Sequence, residues 1–283
     1  YNTLQSSFAA AEKIFTILDI DPEIKDEEDA IDIDIIGNIE FKNVWFSYVD
    51  EEWILKDVSF TINAKDVVAF VGATGAGKTT ILSLITRNYD IQKGQILIDG
   101  IDIKKIKLSS LRGQIGQMLQ DVFLFSGTIA DNIRLNDETI TDEEIIKACV
   151  EVNAIHFINK QPDGIYAKVG ERGNNLSLGE RQLISFARVL VHKPKLMILD
   201  EATSNIDTET ETLIQDTLEK VIKSNTMIMV AHRLSTIQHA TKIFVFDKGR
   251  IIESGSHQEL LKKRGRYYQL YKLQYQQNPF LDE

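Results

Sequence analysis

The feature that most constrains this chain is a run of nine residues, Gly72-Ala73-Thr74-Gly75-Ala76-Gly77-Lys78-Thr79-Thr80, directly after the apolar stretch 67–71. Five apolar residues ending in glycine predict a buried strand, and the residues from Lys78 onward predict a helix. A strand that ends at Gly72, turns through Gly75 and Gly77 and enters a helix at Lys78 aims successive backbone N–H groups and a helix N-terminus at one anion. The residue types point to a nucleotide's β-phosphate. Lys78 can reach the β- and γ-phosphates as a point charge, the Thr79 hydroxyl can hold Mg²⁺, and Thr74, Ala76 and Thr80 complete the cradle. A glycine turn that merely joined strand to helix would leave the Lys-Thr pair without a reason.

Composition sets outer bounds. With 283 residues, 43% hydrophobic and 26% charged, the chain can bury one large core or a core with subdomains. A net charge of −10 argues against a nucleic-acid partner, because phosphate backbones need clustered Lys and Arg. The short basic run Lys262-Lys263-Arg264-Gly265-Arg266 reads as a solvated helix end. One cysteine, Cys149, can form neither an internal disulfide nor a structural zinc site, which fits a reducing, cytoplasmic setting. No stretch of about 18 apolar residues is present, so no segment is expected to span a membrane, and with no charged-then-apolar run in the sequence none is expected to be a signal peptide. The sequence opens on Tyr1 and runs straight into a helical pattern, as the tail of a longer protein would.

Along the chain, Leu4, Phe8, Ala11, Ile14, Phe15 and Leu18 recur at helical spacing and form an apolar face that needs a surface to pack on. Residues 19–29 are acidic and contain Pro22, which reads as an exposed linker with a domain boundary near residue 37. Residues 39–46 and 58–62 suggest antiparallel strands. From residue 66 strands and helices alternate: 67–71 before the Lys78 helix, 196–199 before a helix near Asp207, then 226–230. That order implies a parallel sheet with sites at the carboxyl ends of its strands. Residues from about 105 to 190 are mainly helical in pattern, the clearest stretches being 141–151 and 178–193, and suggest an inserted helical subdomain. A hairpin over 243–253 turning at Lys248-Gly249 and two short helices close the chain.

A second constellation lies at Leu196-Met197-Ile198-Leu199-Asp200-Glu201, where an apolar strand delivers two acids to its carboxyl end. One acid is placed to hold Mg²⁺ and the next to polarise an attacking water, which with the phosphate cradle describes an NTPase. A third element, Asn175-Leu176-Ser177-Leu178-Gly179-Glu180-Arg181-Gln182, opens a long helix about twenty residues before that strand. It resembles the signature sequence of ATP-binding-cassette (ABC) ATPases. Further motifs stand in the same order: Tyr48 resembles the aromatic residue on which adenine stacks, and Gln120 the glutamine of the loop between core and helical subdomain. Ser204-Asn205-Ile206-Asp207 resembles the D-loop, and His232, in Val-Ala-His-Arg-Leu-Ser, the switch histidine. The similarity covers about 37–276.

The resemblance implies an α/β P-loop NTPase fold with a RecA-like parallel-sheet core, an antiparallel β subdomain and an inserted helical subdomain. It implies Glu201 as general base, Asp200, Thr79 and Gln120 at Mg²⁺, Gln120 also at the attacking water, and His232 at the γ-phosphate. Ser177 and the N–H groups near Gly179 start a helix and would meet ATP held by the opposite subunit, so that two cassettes sandwich two ATP. Val169-Gly170-Glu171-Arg172-Gly173 resembles a loop of exporter-type cassettes, and the leading helix resembles the segment joining an exporter's last transmembrane helix to its cassette; the same helix could also be an ordinary domain helix. The resemblance thus implies an exporter's nucleotide-binding domain at the cytoplasmic face of the cell membrane, with residues 1–37 linking to a transmembrane domain. Leu178, Glu180 and Asn205 depart from the family's usual glycine, glutamine and alanine. A bulkier, more negative signature favours a heterodimer with one slow ATP site over a homodimer. Two rival readings remain: an ATP-binding regulatory module with little hydrolysis, against which Glu201 and His232 speak, and a soluble ABC ATPase not tied to transport, which would need a second cassette.

Overall fold

The computed structural model describes residues 2–118, 122–200, 225–230, 237–238 and 240–277. The chain opens with helix α1 (Asn2–Leu18), then β1 (Ile39–Ser47), β2 (Trp53–Ile62), β3 (Val67–Gly72), α2 (Lys78–Ile85), β4 (Lys93–Ile98) and β5 (Ile101–Asp102). Next come α3 (Leu108–Gly113), β6 (Ile115–Met118), β7 (Gly127–Thr128), α4 (Ile129–Arg134), α5 (Asp142–Glu151), α6 (Ile155–Ile158), β8 (Lys168–Val169), α7 (Leu178–Val191) and β9 (Leu196–Asp200). Finally β10 (Thr226–Val230), β11 (Lys242–Asp247), β12 (Arg250–Gly255), α8 (His257–Lys263) and α9 (Arg266–Gln277) follow.

The described strands form an antiparallel sheet ordered β2-β1-β4-β5, a six-stranded sheet ordered β12-β11-β3-β10-β9-β6 and the small pair β7-β8. Within the six-stranded sheet only β12 runs antiparallel; β11, β3, β10, β9 and β6 pair in parallel. Alternation along these strands feeds two cores, because successive side chains point to opposite faces. Val68, Phe70, Ile198, Ile228 and Phe244 pack with the antiparallel sheet and α2. Val67, Ala69, Met197, Leu199, Met229 and Val245 pack with α4, α5 and α7. Aromatic rings join the first core: Phe41 stacks on Phe60 at 4.4 Å, and Phe60 lies tilted against Phe244 at 5.1 Å. This is the mixed α/β P-loop architecture expected from sequence.

Three features differ from the sequence reading or sharpen it. Residues 115–118, inside the block read as mainly helical, form β6 and pair with β9 in the core sheet. A four-residue strand containing Gly116 and Gln117 carries almost no periodic signal, and Gly116 is there because a Cβ would lie 2.5 Å from Val189 Cγ1. The acidic stretch before residue 37 is not a free linker. Lys105 pairs with Glu27 at 2.9 Å and Asp29 at 2.6 Å, Lys107 pairs with Asp32 at 2.6 Å, and Asp26 Oδ1 accepts from the Leu108 N–H at the start of α3. The partners lie some 75 residues away in sequence, out of reach of any local pattern. The α1 helix is as expected, yet Leu4, Phe8, Phe15 and Leu18 are each more than 60% exposed, so its apolar face meets no surface among the described residues. No helix among the described residues is long and apolar enough to cross a membrane.

Candidate active site

The phosphate loop is built by close packing. A Cβ on Gly72 would stand 2.3 Å from the Phe246 carbonyl oxygen of β11, so only glycine lets β3 end against its neighbour. Gly77 caps α2 with a left-handed backbone, φ +104°, and no side chain covers the helix end. The first N–H groups of α2 therefore open outward with no acid in the first turn, an arrangement that attracts an anion. From behind, the β11–β12 turn braces the loop, the Gly249 N–H donating to the Ala76 carbonyl at 3.2 Å.

Lys78 is 5% exposed, and its ammonium donates to the carbonyls of Gly72 at 2.7 Å and Ala73 at 3.0 Å. These neutral acceptors hold the charge at the mouth of the loop, where phosphate oxygens can replace them with a stronger, charge-assisted bond. The Thr79 side chain is exposed and Thr80 is buried.

Register places the remaining parts. Val230 of β10 pairs with Phe70 on one side and Asp200 on the other, so the carboxyl ends of β3, β10 and β9 lie side by side. Asp200 and Thr79 then face one cavity of about 560 Å³, lined also by Tyr48, Thr74, Gly75 and Lys78. The size suits a nucleotide. Tyr48 projects from beyond β1, half exposed, with its hydroxyl 3.1 Å from Thr80 Oγ1. Ile54 and Val230 add apolar wall to the cavity; Ile54 is marked by no sequence motif, being an ordinary strand residue until the strands are assembled, and Val230 opens the Val-Ala-His-Arg-Leu-Ser stretch without having been read as part of the site.

The fit of Mg²⁺ follows from the donors present. A hydroxyl (Thr79) and a carboxylate (Asp200) share the cavity, and among the described residues no group of three or more His, Cys, Asp or Glu converges. Few hard oxygen donors beside a phosphate cradle suit an ion that keeps water and phosphate ligands.

Ser177 and Gly179 do not line this cavity. Ser177 is the N-cap of α7: its Oγ accepts from the Glu180 N–H at 3.2 Å, and Glu180 Oε2 accepts from the Ser177 N–H at 2.8 Å, closing a capping box. The Glu180 carboxylate, read from sequence as an added charge near phosphate, is thus occupied by the helix end. Arg181 ties the approach to α7 by donating to Gly173 O and Leu176 O. Gln120, Glu201, His232 and Ser204-Asn205-Ile206-Asp207 lie outside the described residues.

Comparisons with known proteins agree with this geometry. The family model described as ABC transporter matches residues 55–204. The chain is 45% identical over 283 residues to the ATP-dependent lipid A-core flippase of Syntrophus aciditrophicus (strain SB), covering all of this chain and 47% of that protein. It is 51% identical over 239 residues to a probable multidrug resistance ABC transporter ATP-binding/permease protein of Bacillus subtilis (strain 168), covering 84% of this chain and 36% of that one. A solved structure of a bacterial Atm1-family ABC exporter with ATP bound superposes with a TM-score of 0.88 at 38% identity, covering 97% of this chain and 48% of that chain. The chain spans about half the length of the relatives it matches.

Proposed function

The chain belongs to the ABC transporter family, and from that premise we propose that it is the ATP-binding and ATP-hydrolysing cassette of a membrane exporter. The observation that carries the reading is the single cavity onto which Tyr48, Lys78, Thr79 and Asp200 all open. In this reading the triphosphate lies along residues 72–80 and Lys78 exchanges its carbonyl partners for phosphate oxygens. Tyr48 stacks on adenine, a contact worth about 1–3 kcal/mol. When bound, Mg²⁺ neutralises charge on the β- and γ-phosphates, and Thr79, Asp200 and Gln120 are the residues that would hold it.

Glu201, next in chain after Asp200, accepts a proton from water as the water oxygen bonds to the γ-phosphorus. The bond from that phosphorus to the β–γ bridging oxygen breaks, releasing ADP and phosphate. Gln120 orients the water and His232 stabilises the γ-phosphate; with Glu201, these roles rest on the motif resemblance. Ser177 and Gly179, at the capped N-terminus of α7 and away from the chain's own cavity, fit a role toward ATP held by a second cassette. The γ-phosphate then supplies the contact that favours a closed pair, and hydrolysis removes it.

The partners proposed are a second cassette and an exporter's transmembrane domain, with this chain at the cytoplasmic face of the membrane. Leu178 and Glu180 beside Ser177 favour a different cassette as the second one. The relatives named for lipid A-core and multidrug transport support an apolar or amphipathic cargo.

The test is the Mg-dependent ATPase rate against chain concentration, with Glu201→Gln as control. The expected result is a rate that rises more steeply than linearly and falls about 10²–10⁴-fold in the control, with ATP binding retained. Turnover that survives Glu201→Gln would remove Glu201 from the chemistry. A negligible rate that appears only when another cassette is added would select the heterodimer.

A further inference from the structure

Tyr48 is a single side chain on the short connection between β1 and β2, half exposed, and a ring that turns freely makes a poor platform for a base. Its surroundings remove that freedom from three sides. The Tyr89 ring stands edge-to-face against it at 5.0 Å and 84°. Phe46, which also packs on Tyr89 at 5.7 Å, stands edge-to-face at 4.8 Å and 87°. The Tyr48 hydroxyl is held at Thr80 Oγ1, in the first turn of α2.

The backbone leading into Tyr48 is fixed from the same quarter. Gln92 grips Ser47 twice, its Nε2 donating to the Ser47 carbonyl at 2.9 Å and its Oε1 accepting from the Ser47 N–H at 3.1 Å. The turn that carries Tyr89 is itself anchored by Arg87, which is 2% exposed. Its guanidinium donates to Asp90 Oδ1 at 3.1 Å, to the Lys104 carbonyl at 3.3 Å and to the Lys25 carbonyl of the acidic stretch at 3.2 Å. Tyr89 does not line the nucleotide cavity; with Gln92 it lines a separate cavity of about 150 Å³. Whatever it contributes to the nucleotide therefore passes through Tyr48.

We infer that residues 87–92 form a positioning bracket for the adenine platform, with Tyr89 setting the orientation of the Tyr48 ring and Gln92 the path of its backbone. The inference rests on the assignment of Tyr48 to the base. Tyr89 is a positioning residue, not a catalytic one: it pre-orients a ring whose rotamer freedom would otherwise be lost on binding. Thr80 joins the bracket to the phosphate loop, so base platform and phosphate cradle share one hydroxyl.

The test compares binding of Mg-ATP with binding of Mg-tripolyphosphate, which has the phosphates and no base, to this chain. Tyr89→Ala is expected to weaken Mg-ATP about 3- to 10-fold, raise KM with little change in kcat, and leave tripolyphosphate unchanged. Tyr89→Phe, which keeps the ring, restores ATP affinity. The Tyr48→Ala/Tyr89→Ala double variant binds ATP no more weakly than Tyr48→Ala alone, because Tyr89 acts through Tyr48. If Tyr89→Ala does not fold, Gln92→Ala should show the same base-dependent pattern. Equal loss for ATP and tripolyphosphate would overturn the inference, as would a normal ATP affinity in Tyr89→Ala alongside a weakened Tyr48→Ala. A normal ATP affinity in Tyr48→Ala would instead overturn the assignment of Tyr48 to the base, and the bracket with it.

Discussion

Asn132 is 1% exposed in α4 and makes four hydrogen bonds that hold the segment following Gln120. Its Oδ1 accepts from the Phe125 N–H at 2.8 Å and from Arg188 Nη2 at 3.1 Å, and its Nδ2 donates to the carbonyls of Phe125 at 2.8 Å and Thr128 at 3.0 Å. Arg188 completes the clamp by donating to the Asn132 and Phe123 carbonyls. Replacing Asn132 with Ala leaves two carbonyls, one N–H and part of a guanidinium short of partners. At about 1 kcal/mol for each neutral group deprived in a partly buried setting, the expected loss is roughly 3 kcal/mol. For a chain of this length that corresponds to a fall of about 5 °C in Tm.

The sharper assay is amide hydrogen exchange at Phe125. Its N–H is held by the Asn132 side chain, so exchange by local opening should accelerate roughly 30- to 150-fold in Asn132→Ala, while the amides of β3 and β10 change only by the global loss of stability. A Tm within about 1 °C of the unaltered chain together with unchanged Phe125 exchange would refute the clamp.

Gly72→Ala should weaken nucleotide binding and cost about 2 kcal/mol or more, because the new Cβ meets the Phe246 carbonyl, which belongs to backbone and cannot swing away; denaturant midpoints and ATP titration read both. Glu180→Gln should leave Tm nearly unchanged, since glutamine can close the same capping box; if the combined Leu178→Gly and Glu180→Gln variant also leaves dimer turnover unchanged, the slow-site reading of this signature is wrong. Cys149 is buried, and desolvation pushes its thiol up from 9.0 to about 12, so the folded state holds the proton that the unfolded chain releases first. Its stabilising contribution is complete below pH 9 and is lost as pH rises towards 12; denaturant midpoints should fall across that window, and Cys149→Ala should flatten the decline.

What could be read from the chain in advance was whatever neighbours in sequence decide. The cradle at 72–80 is one continuous segment, and a strand, three glycines and a Lys-Thr pair carry its meaning within a dozen residues. The helical stretch from Thr141 to Glu151, the hairpin turn at Lys248-Gly249 and the amphipathic face of α1 are local in the same way. The acids pinned by Lys105 and Lys107, the strand at 115–118 and the setting of Tyr48 were illegible because their partners lie far along the chain.

Residues close together in the chain specified most of the longer elements, the phosphate cradle and the acidic pair Asp200-Glu201, because short-range backbone geometry and residue chemistry are fixed within a few residues. The tertiary structure alone decided that β3, β10 and β9 align their carboxyl ends, that Tyr48 and Asp200 share one cavity while Ser177 does not, and that Phe246 makes Gly72 obligatory. Parallel pairing sets β10 beside β3, whose residues lie more than a hundred positions away, and the register between strands is set by the packing of two cores on one sheet.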